Sequence, residues 1–182
     1  TGKTTVADIV VRQSGKYLQR INATTASLTD VKAALASSGT LSGQGGILLY
    51  IDEIQYFNKK QQQSLLEYVE DGRVTLICST TDNPFFCIYP ALLSRSAVFE
   101  FKSVPENEML PTLKRGFSLL CEEYGEKGLE EAALPLIARS VNGDVRKALS
   151  LLENTYFASG EVLSLETAEE LAEMTGLRSG RN

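Results

Sequence analysis

Four short runs, residues 17–21, 47–51, 74–78 and 98–101, are almost continuously apolar, rich in β-branched or aromatic side chains, and bounded by turn or polar residues. Helical patterns separate them. The first, at 4–13, follows a Gly-Lys turn; the second, at 29–37, opens on Thr29 as its cap; the third, at 58–69, opens on Asn58 and stops at Gly72. A strand that is apolar throughout has no face to give to solvent, so it belongs in a sheet covered on both sides. Strand-helix alternation makes that sheet parallel. The expected fold is α/β, with ligands at the carboxyl ends of the strands.

The pattern changes near residues 103–106. Residues 108–124, 129–140, 144–158 and 165–174 carry apolar side chains at three- and four-residue spacing, broken by Gly125, Gly128, Gly143 and Gly160. The expected organisation is an α/β core at 1–104, a small all-α domain at 105–174, and a polar tail at 175–182 that serves as a linker. A length of 182 residues suits one domain with a small companion, and 43% hydrophobic with 23% charged residues excludes collagen-like, coiled-coil and disordered classes. A net charge of −5 argues against a surface that is wholly a nucleic-acid footprint. No apolar run approaches the ~20 residues needed to span a bilayer, and no leader precedes the first helix, so a cytoplasmic chain without membrane contact is expected.

The chain has no histidine, and its three cysteines, Cys78, Cys87 and Cys121, show no Cys-x-x-Cys spacing. Metal cages, disulfide frameworks and histidine-based nucleophilic catalysis are thereby disfavoured. Any enzyme built here works with carboxylates, hydroxyls, lysine, arginine or a bound metal.

Such groups occur in an ordered series. Thr1-Gly2-Lys3-Thr4-Thr5 matches the closing half of a phosphate-cradling loop: backbone N–H groups of Gly2 to Thr5 face phosphates, Lys3 neutralises charge, and the Thr4 hydroxyl ligates Mg2+. Alone, the same residues read equally well as an ordinary helix start. The run at 47–51 ends in Asp52 and Glu53, which suit a metal-holding and a water-activating carboxylate. Residues 79–83 place hydroxyls after the third run, and Thr81 suits a water-positioning role, although polar residues there also make ordinary turns. Arg95 ends a short helical segment beginning at Pro90, and Arg146 opens a helix where a cation opposes the dipole unless an anion lies near. A guanidinium at either place suits a phosphoryl-transfer site; either is also a plausible solvated surface residue.

Taken in order, Gly-Lys-Thr-Thr, Ile-Asp-Glu, Ser-Thr-Thr, Leu-Leu-Ser-Arg and Gly-Asp-Val-Arg resemble the AAA+ ATPases of the clamp-loader clade. Within that clade residues 51–63, 69–72, 80–84 and 90–95 are similar to the replication-associated recombination protein A group, with its Werner-helicase-interacting relatives. The resemblance implies Gly2, Lys3, Thr4 and Thr5 as the ATP-binding loop, Thr4 and Asp52 at Mg2+, and Glu53 as the water-activating acid. It further implies Thr81 as first sensor, Arg95 as a finger acting on the neighbouring subunit, and Arg146 as second sensor in a helical lid. Its other implications are ATP hydrolysis dependent on DNA at forks or single-strand/double-strand junctions, a homo-oligomer, contact with single-strand-binding protein, and a nucleoid-associated place in the cytoplasm. Gln55-Tyr56 departs from the histidine and arginine frequent in relatives, and Ser96 from a cysteine.

In that fold another strand precedes the phosphate loop and lies inside the sheet, whereas residue 1 here is already within the loop. The expectation is a sheet with its first strand missing, hence a gap, poor stability and weak ATP binding by these residues alone. A clamp-loader subunit, a branch-migration motor and a non-enzymatic, nucleotide-gated scaffold are the competing readings, with a small P-loop kinase weaker than these.

Overall fold

The computed structural model describes residues 2–38, 46–72, 74–174 and 176. Two compact units form, Gly2–Glu100 and the described residues from Phe101 onward. The tail expected to be a linker at 175–182 lies outside the described residues except for Gly176.

In the first unit the order is α1 (Lys3–Ser14), β1 (Tyr17–Asn22), α2 (Leu28–Ser38), β2 (Ile47–Asp52), a 3-10 turn (Ile54–Tyr56), α3 (Lys59–Glu70), β3 (Val74–Cys78), α4 (Pro84–Cys87) and α5 (Pro90–Leu93). The strands pair in parallel in the order β1-β2-β3. Alternation along β2 sends Leu48 and Tyr50 to one face, where they pack on Ala7 of α1 with Val11, Leu18 and Ile77 around them. Ile47, Leu49 and Ile51 go to the other face, against Val31 and Leu35 of α2, Leu65 of α3 and Leu92 of α5. Both faces are covered, which is why the β2 run reads as apolar throughout.

The register aligns the strand ends: Asn22 lies opposite Asp52, and Ile51 opposite Cys78. The polar residues that follow the strands are therefore gathered on one edge of the sheet.

Residues 98–101, expected as a fourth strand, form none. A strand needs a neighbour to complete its ladder, and this segment has none among the described residues, so Val98, Phe99 and Phe101 stay exposed despite their β-type side chains. The second helix begins at Leu28 rather than at a Thr29 cap. Ser27 caps it, its hydroxyl accepting from Asp30 N–H at 3.3 Å while its own backbone N–H donates to the Asp30 carboxylate at 2.7 Å.

The second unit comprises α6 (Glu106–Tyr124), β4 (Gly128–Leu129), α7 (Ala133–Ser140), α8 (Val145–Ala158), β5 (Val162–Leu163) and α9 (Leu165–Met174). Its core is built on Met109, Leu113, Ile137, Leu151, Leu152, Tyr156 and Leu163. It is helical with one addition, a two-residue parallel ladder between β4 and β5. That ladder takes Leu129 out of the helix expected from residue 129, which starts at Ala133.

Gly143 holds this unit's helical connection at φ +80, and a Cβ there would meet the Ser103 Cβ at 2.5 Å and the Val104 backbone nitrogen at 2.9 Å. Both the positive φ and the closeness of backbone demand glycine. Gly143→Ala is expected to destabilise this unit by about 1–3 kcal/mol, visible as a lower midpoint in thermal unfolding. An unchanged midpoint would show that the 103–104 segment yields freely.

No helix among the described residues is long and apolar enough to cross a membrane.

Candidate functional site

Gly2 adopts φ 92 as N-cap of α1, and its carbonyl accepts the first helical bond from Val6 N–H at 3.0 Å. The opening N–H groups of a helix have no partner within it, so the first turn at Lys3, Thr4 and Thr5 offers donors and the positive end of the helix dipole. The Lys3 ammonium donates to the Thr80 carbonyl at 2.8 Å, which ties the start of α1 to the segment after β3.

A second tie runs through hydroxyls. Tyr50 and Asp52 share a face of β2 by their two-residue spacing, and the Tyr50 hydroxyl donates to Asp52 Oδ1 at 3.3 Å. That hydroxyl's one proton is thereby committed, so the Thr4 hydroxyl is the donor in its 3.3 Å contact with Tyr50. The buried Ser79 hydroxyl also donates to Asp52 Oδ1.

Glu53 has φ 55 and ψ 48, a left-handed backbone uncommon outside glycine, asparagine and aspartate. The bend is pinned on both sides, by Ser79 N–H to the Ile51 carbonyl at 2.9 Å and Ile54 N–H to the Ser79 carbonyl at 3.0 Å. Thr81 donates to Glu53 Oε2 at 3.2 Å, and the Gln55 amide nitrogen donates to both of them, reaching Thr81 Oγ1 at 3.2 Å.

The sheet edge thus gathers Lys3, Thr4, Asp52, Glu53 and Thr81 in adjoining hydrogen-bonded clusters. Arg95 is elsewhere in the same unit: its guanidinium pairs with Glu70 of α3 at 2.8 Å and donates to the Ala91 carbonyl at 2.9 Å, with about half of each charged side chain exposed. Arg146 belongs to the second unit, exposed in the first turn of α8, where Asp144 caps the helix by accepting from its backbone N–H at 3.0 Å.

Three site residues were not singled out by reading the sequence. Tyr50 was within reach, since it alternates onto Asp52's face; Ser79 follows from the β2-β3 register; Gln55 depends on the bend at Glu53, which sequence does not announce. Cys78 closes β3 beside the site, and desolvation pushes its thiol up to about 12.

The sequence profile of the ATPase family associated with various cellular activities (AAA) matches residues 1–104, over half of the chain. The chain belongs to the AAA ATPase family. This AAA chain is 37% identical over 155 residues to Replication-associated recombination protein A of Coxiella burnetii, covering 84% of itself and 35% of that protein. It is 35% identical over 156 residues to the Escherichia coli K12 protein of the same name, with coverage of 84% and 35%. It is 32% identical over 162 residues to ATPase WRNIP1 of Dictyostelium discoideum, with coverage of 88% and 18%. The AAA chain therefore spans about a third or less of the length of these relatives. Among solved structures, the Thermotoga maritima RuvB Holliday junction branch migration motor superposes with a TM-score of 0.76 at 24% identity, over 95% of this chain and 58% of that one. That likeness is one of fold, and it agrees with the α/β parallel-sheet class expected from the apolar runs.

A family of this kind implies a magnesium nucleotide, and the donor set of this AAA domain fits one. Mg2+ takes oxygen ligands and is usually held by one or two protein groups with phosphates and water completing its shell. Asp52 and Thr4 supply one carboxylate and one hydroxyl, joined through Tyr50. Lys3 and the first turn of α1 supply the positive charge and N–H donors that phosphates require.

Proposed function

We propose that this edge of the sheet binds ATP with Mg2+ and hydrolyses the ATP to ADP and phosphate, as the ATPase part of a longer protein that maintains replication forks and supports recombination and repair. One observation carries the reading: a lysine and hydroxyl at a helix start, two successive carboxylates at a strand end and a threonine after the next strand all meet where a parallel-sheet fold binds its ligands.

In this reading Lys3 leaves the Thr80 carbonyl for the β and γ phosphates, and the α1 N–H groups hold the phosphate oxygens. Thr4 and Asp52 hold Mg2+, which when bound supplies Lewis-acid polarisation of phosphate oxygens. Glu53 accepts a proton from water as the water oxygen bonds to the γ phosphorus and the bond from that phosphorus to the bridging oxygen of ADP breaks. Thr81 holds the Glu53 carboxylate. Arg95 is the finger offered to the site of a neighbouring subunit in a homo-oligomer, and Arg146 is the second sensor. The relatives' names support a setting in replication-associated recombination; DNA at forks or junctions and single-strand-binding protein are the partners that the sequence resemblance implies, in the cytoplasm at the nucleoid.

Titrating a fluorescent ATP analogue with Mg2+ into the complete protein tests the reading. Lys3→Ala is expected to weaken binding about 10- to 100-fold, since a charge-assisted contact contributes roughly 1.5–3 kcal/mol. Equal affinity in parent and variant would remove the phosphate role of Lys3 and the reading with it.

A further inference from the structure

The 3-10 turn that follows Glu53 is held more firmly than its length suggests. Ile54 is fully buried in the core under the sheet, its N–H bonds to Ser79, and Tyr56 and Phe57 close the turn on Glu53 and Ile54 at 3.0 and 2.9 Å. Gln55 sits between these anchors, so its side chain is delivered to one place. There the two hydrogens of its amide are both used, one on Glu53 Oε2 and one on Thr81 Oγ1. Thr81 in turn donates to the same Glu53 oxygen, which closes a three-membered ring of hydrogen bonds around Oε2. Glu53 Oε1 has no hydrogen-bond partner among the described residues, so one oxygen of the carboxylate is anchored and the other is left open.

The other end of the amide shows what fixes it. Gln55 Oε1 is buried and has no hydrogen-bond partner among the described residues. Buried polar atoms are nearly always paired, and an exception calls for an explanation. Turning the amide over would set its oxygen against the Glu53 carboxylate and give up both donations, so the nitrogen faces inward although this orphans the oxygen. Packing and stability alone would not select this arrangement, because any apolar side chain would avoid the orphan.

We propose that Gln55 is a positioning residue for ATP hydrolysis, one that locks Glu53 Oε2 against Thr81 so that Oε1 alone is presented to the attacking water. The inference rests on the function proposed above, and it assigns a task to a residue that the proposed mechanism leaves without one. Gln55 acts through Glu53 and contributes nothing to holding the nucleotide.

The test compares steady-state and single-turnover ATPase rates, nucleotide affinity and thermal midpoint in the complete protein for the parent, Gln55→Leu, Gln55→His, Glu53→Gln and the Gln55→Leu/Glu53→Gln pair. Gln55→Leu should lower kcat about 10- to 100-fold, the scale of a misplaced catalytic group, with nucleotide Kd within about twofold of the parent. Gln55→His, which keeps a ring N–H for Glu53, should recover most of that loss. In the Glu53→Gln background the leucine should cost nothing further, because the group it positions is already gone. A merely structural Gln55 would instead lower affinity and midpoint alongside kcat and add its loss in the double variant; either pattern overturns the proposal, as does a Gln55→Leu rate within twofold of the parent. A parent that binds ATP without turning it over would sink the hydrolytic reading itself, and the two failures are thus told apart.

Discussion

Glu53→Gln in the complete protein is expected to leave ATP bound and to slow its hydrolysis by about 10²–10⁴-fold, the range that a lost general base commands. The substitution is nearly isosteric, so the left-handed backbone at position 53 is undisturbed. The Thr81 hydroxyl can donate to an amide oxygen as it does to Glu53 Oε2. What disappears is the capacity to take a proton, since a neutral amide is a far weaker base than a carboxylate. Retention of radiolabelled ATP alongside single-turnover hydrolysis separates the two effects. Undiminished turnover, or loss of ATP from the variant, would take the water-activating role away from Glu53.

Arg95→Ala is expected to reduce turnover by a similar or larger factor, about 10³–10⁵-fold where an arginine finger is removed. Within one chain Arg95 is bound to Glu70, an exposed pair worth at most about 1 kcal/mol, so exchanging that partner for a phosphate oxygen of another subunit costs little. Gln62 braces the segment that leads to it: its amide nitrogen donates to the Phe57 and Cys87 carbonyls at 3.0 Å, and its oxygen accepts from Tyr89 N–H at 2.7 Å. Mixing inactive Arg95→Ala with inactive Glu53→Gln protein discriminates a finger acting between subunits from one acting within. About a quarter of the interfaces in a randomly mixed assembly then combine an intact Glu53 with an intact Arg95, and activity should return accordingly. A mixture as inactive as its components would place Arg95 outside the neighbour's site.

The parallel sheet was legible because burial on two faces leaves a mark that one-sided burial does not. Leu48 and Tyr50 face α1 while Ile47, Leu49 and Ile51 face α2 and α3, so β2 shows no polar alternation at all. The acids at its end were legible for the same reason, as the first polar residues after an apolar run. Residues 98–101 show the limit of that signal: β propensity describes a side chain's fit to a sheet, and only a paired neighbour makes a strand. The β4-β5 ladder was too short to carry a period at all.

The adjacent glutamines of α3 make a similar point. Gln61 closes the capping box with Asn58, Gln62 is the buried brace and Gln63 is exposed, three roles for one residue type set by helical phase and by what the helix packs against. Gln55 was harder still, because its reach to Glu53 depends on a positive φ that glutamate seldom adopts. The arrangement of charges was readable wherever it followed strand order, and unreadable wherever it followed a bend.

That bend also bears on how such a protein could lose its activity over generations. Asparagine tolerates the left-handed region better than glutamate, since its short side chain bonds to nearby backbone. A Glu-to-Asn change at position 53 would remove the proton acceptor and relax the main chain together. Natural drift from a working hydrolase to an inert paralogue that merely holds its nucleotide would therefore run, at this position, toward greater conformational ease.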